Sequence, residues 1–181
     1  MTVTHIALLR AVNLSGHNAI KMAVLREFAE NLGFENVRTF IQSGNLIFQS
    51  NNLAGAELEQ RLEAESAKRL GLQTDFVVRT CDELKRIIEQ NPLPEHAKLQ
   101  ASRFVVVFLK KPYVAKDFQA LQEAGKASET VRGAGKEVYI AYPNGIHESR
   151  LTLSVVEKTL GTRSTGRNWN TVLKLAVLAN A

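Results

Sequence analysis

The sequence predicts an α+β fold of two antiparallel-sheet units in tandem. Three observations carry that expectation. Between Val3 and Arg79 the elements run strand, helix, strand, strand, helix, strand. From Arg103 onward the same order recurs. Between the two stretches lies Asn91–Ala101, which holds two prolines and reads as a linker. The βαββαβ order is the split βαβ unit of ferredoxin-like folds. The expected domains are 1–90, a first ferredoxin-like unit plus a connecting helix, and 102–181, a second unit with a terminal helix, joined by 91–101.

Each element has its own signal. Val3–Arg10 is an apolar run too short for a helix. After a polar stretch to Lys21, Met22, Leu25, Phe28, Ala29 and Leu32 recur at helical spacing, and Gly33 stops that helix. Val37–Gln42 and Asn45–Gln49 are strands joined by a Ser43-Gly44 hairpin signal. Ala54–Leu70 is a helix with Leu58, Leu62 and Leu70 on one side and Gly71 after it, and Asp75–Arg79 is the fourth strand. Thr80-Cys81-Asp82-Glu83 has capping-box spacing, and a helix over 81–90 follows, burying Leu84, Ile87 and Ile88. In the second half, Arg103–Leu109 is a strand of β-branched and aromatic residues. Val114–Ala124 is a helix, Thr130–Arg132 and Glu137–Tyr142 are strands, and Leu151–Leu160 is a helix ended by Gly161. Thr162–Gly166 is a short extended piece where the fourth strand should stand. Arg167-Asn168-Trp169-Asn170-Thr171 then begins a last helix with Trp169, Val172, Leu173 and Ala176 on one face. Trp169, Phe28, Leu62, Val106 and Ile140 are expected in the core.

Composition narrows the function classes. The 181 residues are 45% hydrophobic and 23% charged, values of a folded globular chain. No apolar run has the roughly 18 residues of a membrane helix. No basic segment precedes an apolar one near Met1, so the expected location is the cytoplasm. One cysteine, Cys81, excludes an internal disulfide framework. Its place at a helix start favours a thiolate, but Asp82 and Glu83 beside it oppose that. His5, His17, His96 and His147 include no i, i+4 pair, so neither a metal site nor a cofactor is expected. No Ser-His-Asp order, paired-carboxylate motif or dinucleotide fingerprint is present. Residues 1–90 carry 10 Lys/Arg and 11 Asp/Glu, whereas 91–181 carry 13 and 7, so the net charge of +5 resides in the second half. That asymmetry suits an anionic partner such as nucleic acid or a phosphorylated ligand; solubility alone would also account for it.

The topology predicts where polar side chains meet. With strand order 4-1-3-2, the end of the first strand, the middle hairpin and the start of the fourth strand share one edge. In the first unit that edge gathers Arg10, Asn13, the 15–18 loop, Gln42, Ser43, Asn45 and Thr74. In the second it gathers Lys110, Lys111, Arg132, Lys136 and Arg163.

Three stretches carry a resemblance: Ala7-Leu8-Leu9-Arg10-Ala11-Val12-Asn13 running on to Met22, Gly33–Phe48 with its Gln42-Ser43-Gly44-Asn45 turn, and Arg167-Asn168-Trp169-Asn170-Thr171 running on to Leu175. Tyr139–Pro143 followed by Gly145 supports them. Together they resemble the bacterial family called domain of unknown function 1697. The resemblance implies two ferredoxin-like plaits and supplies no activity. The family has glycine where this chain has Ala11 and Ser15, which bears on how closely a ligand could approach the backbone there.

The candidate ligand-binding residues are Arg10, Asn13, Lys21, Gln42, Ser43, Asn45, Arg167 and Asn170. Backbone amides of the 13–21 loop with Lys21 could hold a phosphate, or the loop's Asn and Ser residues could cap their own backbone. Ser43-Gly44 serves the hairpin in any case, while Gln42 adds donors that a turn does not need. Arg167 at a helix start is disfavoured by the dipole and calls for an anion or a carboxylate partner. Two functions follow: binding of an anionic ligand or nucleic acid, or an enzyme acting on a small phosphorylated substrate, for which no general base can be named. A protein-partner module without a ligand is the third.

Overall fold

The computed structural model describes residues 2–13, 19–51, 53–125 and 128–181. Ser15, Gly16, His17 and Asn18 of the expected anion loop therefore lie outside the described residues. The chain divides into two compact units. Unit 1 comprises Met1–Lys85 with Leu175–Ala181, and unit 2 comprises Arg86–Lys174.

Unit 1 contains β1 (Val3–Leu9), α1 (Met22–Asn31), β2 (Glu35–Phe40), β3 (Asn45–Ser50), α2 (Gly55–Leu70) and β4 (Phe76–Thr80), and α3 (Cys81–Glu89) begins in it. Its sheet is antiparallel, in the order β2-β3-β1-β4. Alternation along β1 sends Ala7 and Leu9 to a core with Leu25, Phe28, Leu46, Phe48, Leu58 and Leu62. Burying each such large side chain contributes about 1.5–3 kcal/mol. Ile6 and Leu8, on the opposite face, are buried as well. The capping box forms as expected: Glu83 N donates to Thr80 Oγ1 at 3.1 Å and Thr80 N donates to Glu83 Oε2 at 2.8 Å.

β4 is an edge strand, yet its outward amides are satisfied. Phe76 N donates to Glu63 Oε1 (2.9 Å) and Val78 N to Glu59 Oε1 (2.8 Å). Glu59 and Glu63 stand one turn apart on α2, so a single helix face supplies both acceptors. This closes an edge that would otherwise invite strand addition.

Unit 2 contains α4 (Pro94–Leu99), β5 (Phe104–Leu109), α5 (Ala115–Gly125), β6 (Thr130–Ala134), β7 (Glu137–Ala141), α6 (Leu153–Leu160), β8 (Ser164–Asn168) and the start of α7 (Trp169–Ala179). Its sheet has the same order, β6-β7-β5-β8. Segment 91–101, read as a linker, thus carries a helix started by Pro94 in its first turn. The short extended piece expected over Thr162–Gly166 is a full fourth strand two residues further on: β8 pairs with β5 from Val105↔Asn168 to Leu109↔Ser164. The last helix starts two residues later than the sequence suggested. Asn168 caps it, its Oδ1 accepting from Thr171 N at 3.0 Å. Its buried apolar positions are Trp169, Val172, Leu175 and Ala179, with Thr171 buried beside them; Leu173 is 40% exposed. Trp169, Phe28, Leu62, Val106 and Ile140 are all buried. Trp169 meets Phe104 edge-on at 5.4 Å.

Among the described residues no helix is long and apolar enough to cross a membrane.

Candidate functional site

In unit 1 the predicted edge assembles. Leu9 N donates to Gly44 O (2.9 Å) and Arg10 N to Asp75 O (3.0 Å), which ties the end of β1 to the β2–β3 turn on one side and to the start of β4 on the other. Asn13 adds a second set of ties. Its Nδ2 donates to Ile20 O (3.0 Å) and to Gln42 O (2.6 Å), and its Oδ1 accepts from Ile20 N (2.8 Å). One side chain thus joins residue 13 to residue 20 and fastens both to the hairpin. Lys21, exposed, follows as the residue preceding α1.

The Gln42-Ser43-Gly44-Asn45 turn is built inward as well as outward. Gly44 has φ +75° and sits so close to Val12 and Leu9 that a Cβ would stand 2.5 Å from Val12 Cγ2. Asn45 is fully buried, with Nδ2 donating to Phe40 O (2.8 Å) and Ser43 Oγ (3.1 Å). Asn13 and Asn45 therefore shape the rim, while Arg10, Lys21, Gln42 and Ser43 are at least partly exposed on it. Sequence reasoning missed Asp75 there, although the topology that placed Thr74 would have placed it too. It also missed strain. Among the described residues, four that are not glycine have positive φ, and three of these, Ala11 (49°), Asn13 (56°) and Ile41 (50°), lie on this rim.

Arg167 and Asn170 belong to unit 2. Asn170 is exposed in the first turn of α7. Arg167 is not at a helix start but inside β8, 7% exposed, with Nη1 donating to Thr165 Oγ1 (2.7 Å) and Gly166 O (2.8 Å). Burial pulls its pKa down to about 10, so it remains cationic at neutral pH. Arg79 occupies the matching position in unit 1. It is 2% exposed, donates to Val78 O (2.8 Å), and faces Ile6 in the sheet as Arg167 faces Val106.

The edge of unit 2 repeats the two backbone bonds of the unit 1 edge. Leu109 N donates to Lys136 O (2.9 Å) and Lys110 N to Arg163 O (3.0 Å). Lys111 N donates to Thr162 Oγ1 (3.1 Å). Lys110, Lys111, Lys136 and Arg163 therefore share one short edge. Arg132, expected with them, stands behind it on β6, opposite Tyr139. Arg163 pairs with Glu157 at 3.5 Å, and Glu137, the other acid next to the turn, is buried. No cluster of three or more potential metal ligands occurs among the described residues.

Residues 1–139 match the family described as protein of unknown function (DUF1697). The chain belongs to that family. The comparison with curated proteins found no match. Among solved structures, the DUF1697 chain is similar to the conserved bacterial protein SP0830 from Streptococcus pneumoniae, with a TM-score of 0.77 and 24% identity over 99% of each chain. That likeness establishes the fold and carries no activity with it.

Proposed function

We propose that this chain is a duplicated pair of ferredoxin-like units, acting in the cytoplasm, that binds the phosphate backbone of a nucleic acid along the rim of unit 2. One observation carries the reading. Lys110, Lys111, Lys136 and Arg163 stand on a single edge whose backbone is held by three hydrogen bonds. Cations gathered on a fixed edge attract a polyanion and release its counterions. Glu157 pairs with Arg163 at 3.5 Å and offsets one of these charges, so the three lysines carry most of the expected attraction.

The matched positions support duplication: Leu9 with Leu109, Arg10 with Lys110, Thr74 with Thr162, Asp75 with Arg163, and Arg79 with Arg167. Between the two copies the rim has gained charge, with Lys136 where unit 1 has Gly44 and Arg163 where it has Asp75. Recognition through phosphate rather than base is supported by the sheet aromatics. Phe104, Phe108 and Tyr139 are at most 1% exposed, and plaits that stack bases need such rings open. Binding should therefore tolerate any sequence and weaken steeply with salt. Reversing charge with Lys110→Glu and Lys111→Glu should abolish binding of a labelled single-stranded oligonucleotide. Arg10→Glu with Lys21→Glu should leave it within about twofold. Equal losses from both pairs would refute the assignment.

A second reading, a small phosphorylated ligand held at the rim of unit 1 by Arg10, Lys21 and Gln42, is favoured by the backbone strain at Ala11, Asn13 and Ile41. Strained residues cost about 1–3 kcal/mol each and collect where a fixed geometry is needed. Under that reading the Arg10/Lys21 pair, not the Lys110/Lys111 pair, would govern binding, with inorganic phosphate as competitor.

A further inference from the structure

We infer that unit 2 holds a separate pocket for a small carboxylic acid with an apolar body. The pocket has a volume of about 200 Å³ and is walled by α4, the start of β5 and the end of β7. That is somewhat more than the roughly 150 Å³ of apolar cavity that accepts a benzene ring, so an occupant of about ten heavy atoms fits.

The walls combine an apolar body with one cationic corner, Arg103. Ala141, Tyr142, Pro143 and Leu99 line it, and Leu99, at 78% exposure, is a large apolar side chain left standing at the mouth. Arg103 and His96 supply the polar donors, and no carboxylate is among the lining residues. The corner is fixed before any ligand arrives. Arg103 Nη1 donates to Pro143 O at 2.6 Å, and Tyr142 N donates to Arg103 O at 3.0 Å. Arg103 N in turn donates to Gln100 O at 2.9 Å, which holds the end of α4 against the strand. A guanidinium has five N–H donors in a rigid fork, so one bond to Pro143 leaves donors for a carboxylate. The aliphatic wall then takes the ligand's body, as small-molecule sites commonly do. This site is independent of the rim residues assigned above.

Benzoate is the probe, and benzyl alcohol its uncharged counterpart. In amide-resolved NMR titrations of the full chain, benzoate should shift Arg103, Phe104, Ala141 and Tyr142 together and saturably, with a dissociation constant on the order of 1 mM. Arg103→Met should weaken benzoate about tenfold and leave the response to benzyl alcohol unchanged. Arg103 is exposed, and the variant should give the parent's far-UV circular dichroism spectrum. Ala141→Leu, which fills the pocket, should remove both responses. Non-saturating shifts, equal affinity for the two probes, or an Arg103→Met variant that binds benzoate like the parent would each overturn the inference.

Discussion

Gly44 is the residue whose replacement reports most directly on how the unit 1 rim is held. It adopts φ +75°, and a methyl group there would meet Val12 Cγ2 at 2.5 Å and Leu9 Cβ at 2.9 Å. Gly44→Ala therefore carries two costs. The left-handed backbone costs an L-residue about 1–2 kcal/mol. Forcing a methyl into a packed site costs about 1–3 kcal/mol more. Gly33 provides the control, because it has φ +83° but nothing within 4 Å of where a methyl group would stand. Gly33→Ala should lose only the backbone cost. The two variants should thus differ by about 1–3 kcal/mol in guanidinium unfolding followed by far-UV circular dichroism. The chain's one tryptophan, Trp169, lies in unit 2, so its fluorescence reports on packing in that unit. If Gly44→Ala is no more destabilising than Gly33→Ala, the turn does not pack on Val12 and Leu9 as described.

Three further outcomes are expected. His5 is fully buried beside Phe48 with neither ring nitrogen hydrogen-bonded, and burial lowers its pKa below 6.5, opposed in part by the Glu83 carboxylate. The unfolded chain takes up that proton first, so this contribution is intact above about pH 6.5 and is lost as pH falls towards the lower folded-state pKa. His5→Leu should raise stability by about 1–3 kcal/mol and flatten unfolding midpoints measured between about pH 7.5 and pH 5. Trp169→Ala should cost about 3–5 kcal/mol in the same denaturation assay, an unchanged midpoint showing instead that the ring is not packed. Glu59→Ala leaves the buried Val78 amide without its acceptor, costs about 1–3 kcal/mol, and reopens the β4 edge, so light scattering should show association that the parent does not.

The element order was legible because each element is announced by local chemistry. Gly33, Gly71 and Gly161 end helices, Thr80 and Glu83 box one in, and apolar spacing marks the faces. The rims were legible because strand order alone decides which strand ends share an edge. What escaped the sequence was of two kinds. β8 reads Ser-Thr-Gly-Arg-Asn, with no apolar alternation, and is a strand because β5 offers it a complete ladder. Tertiary pairing there outweighs a weak local preference. Arg167 followed the same error: a charged residue beside a tryptophan reads as a helix start, whereas the strand carries it into a buried position that Arg79 mirrors. Side-chain bonding was the second kind. Asn13 and Asn45 were candidates for ligand contact because amides look versatile, but both spend their donors on the backbone that forms the rim. Nothing in sequence spacing distinguishes an amide that faces solvent from one that braces a turn.

The most direct test of the central claim is the salt dependence of single-stranded oligonucleotide binding. With Arg163 paired to Glu157, the three rim lysines predict a slope of log K against log salt of about −2.1, taking about −0.7 per neutralised phosphate. Replacing Lys110 and Lys111 with Ala should reduce its magnitude by about 1.4 with no change in thermal stability. A slope unaltered by that double substitution, or binding that salt leaves untouched, would contradict phosphate recognition by the unit 2 rim.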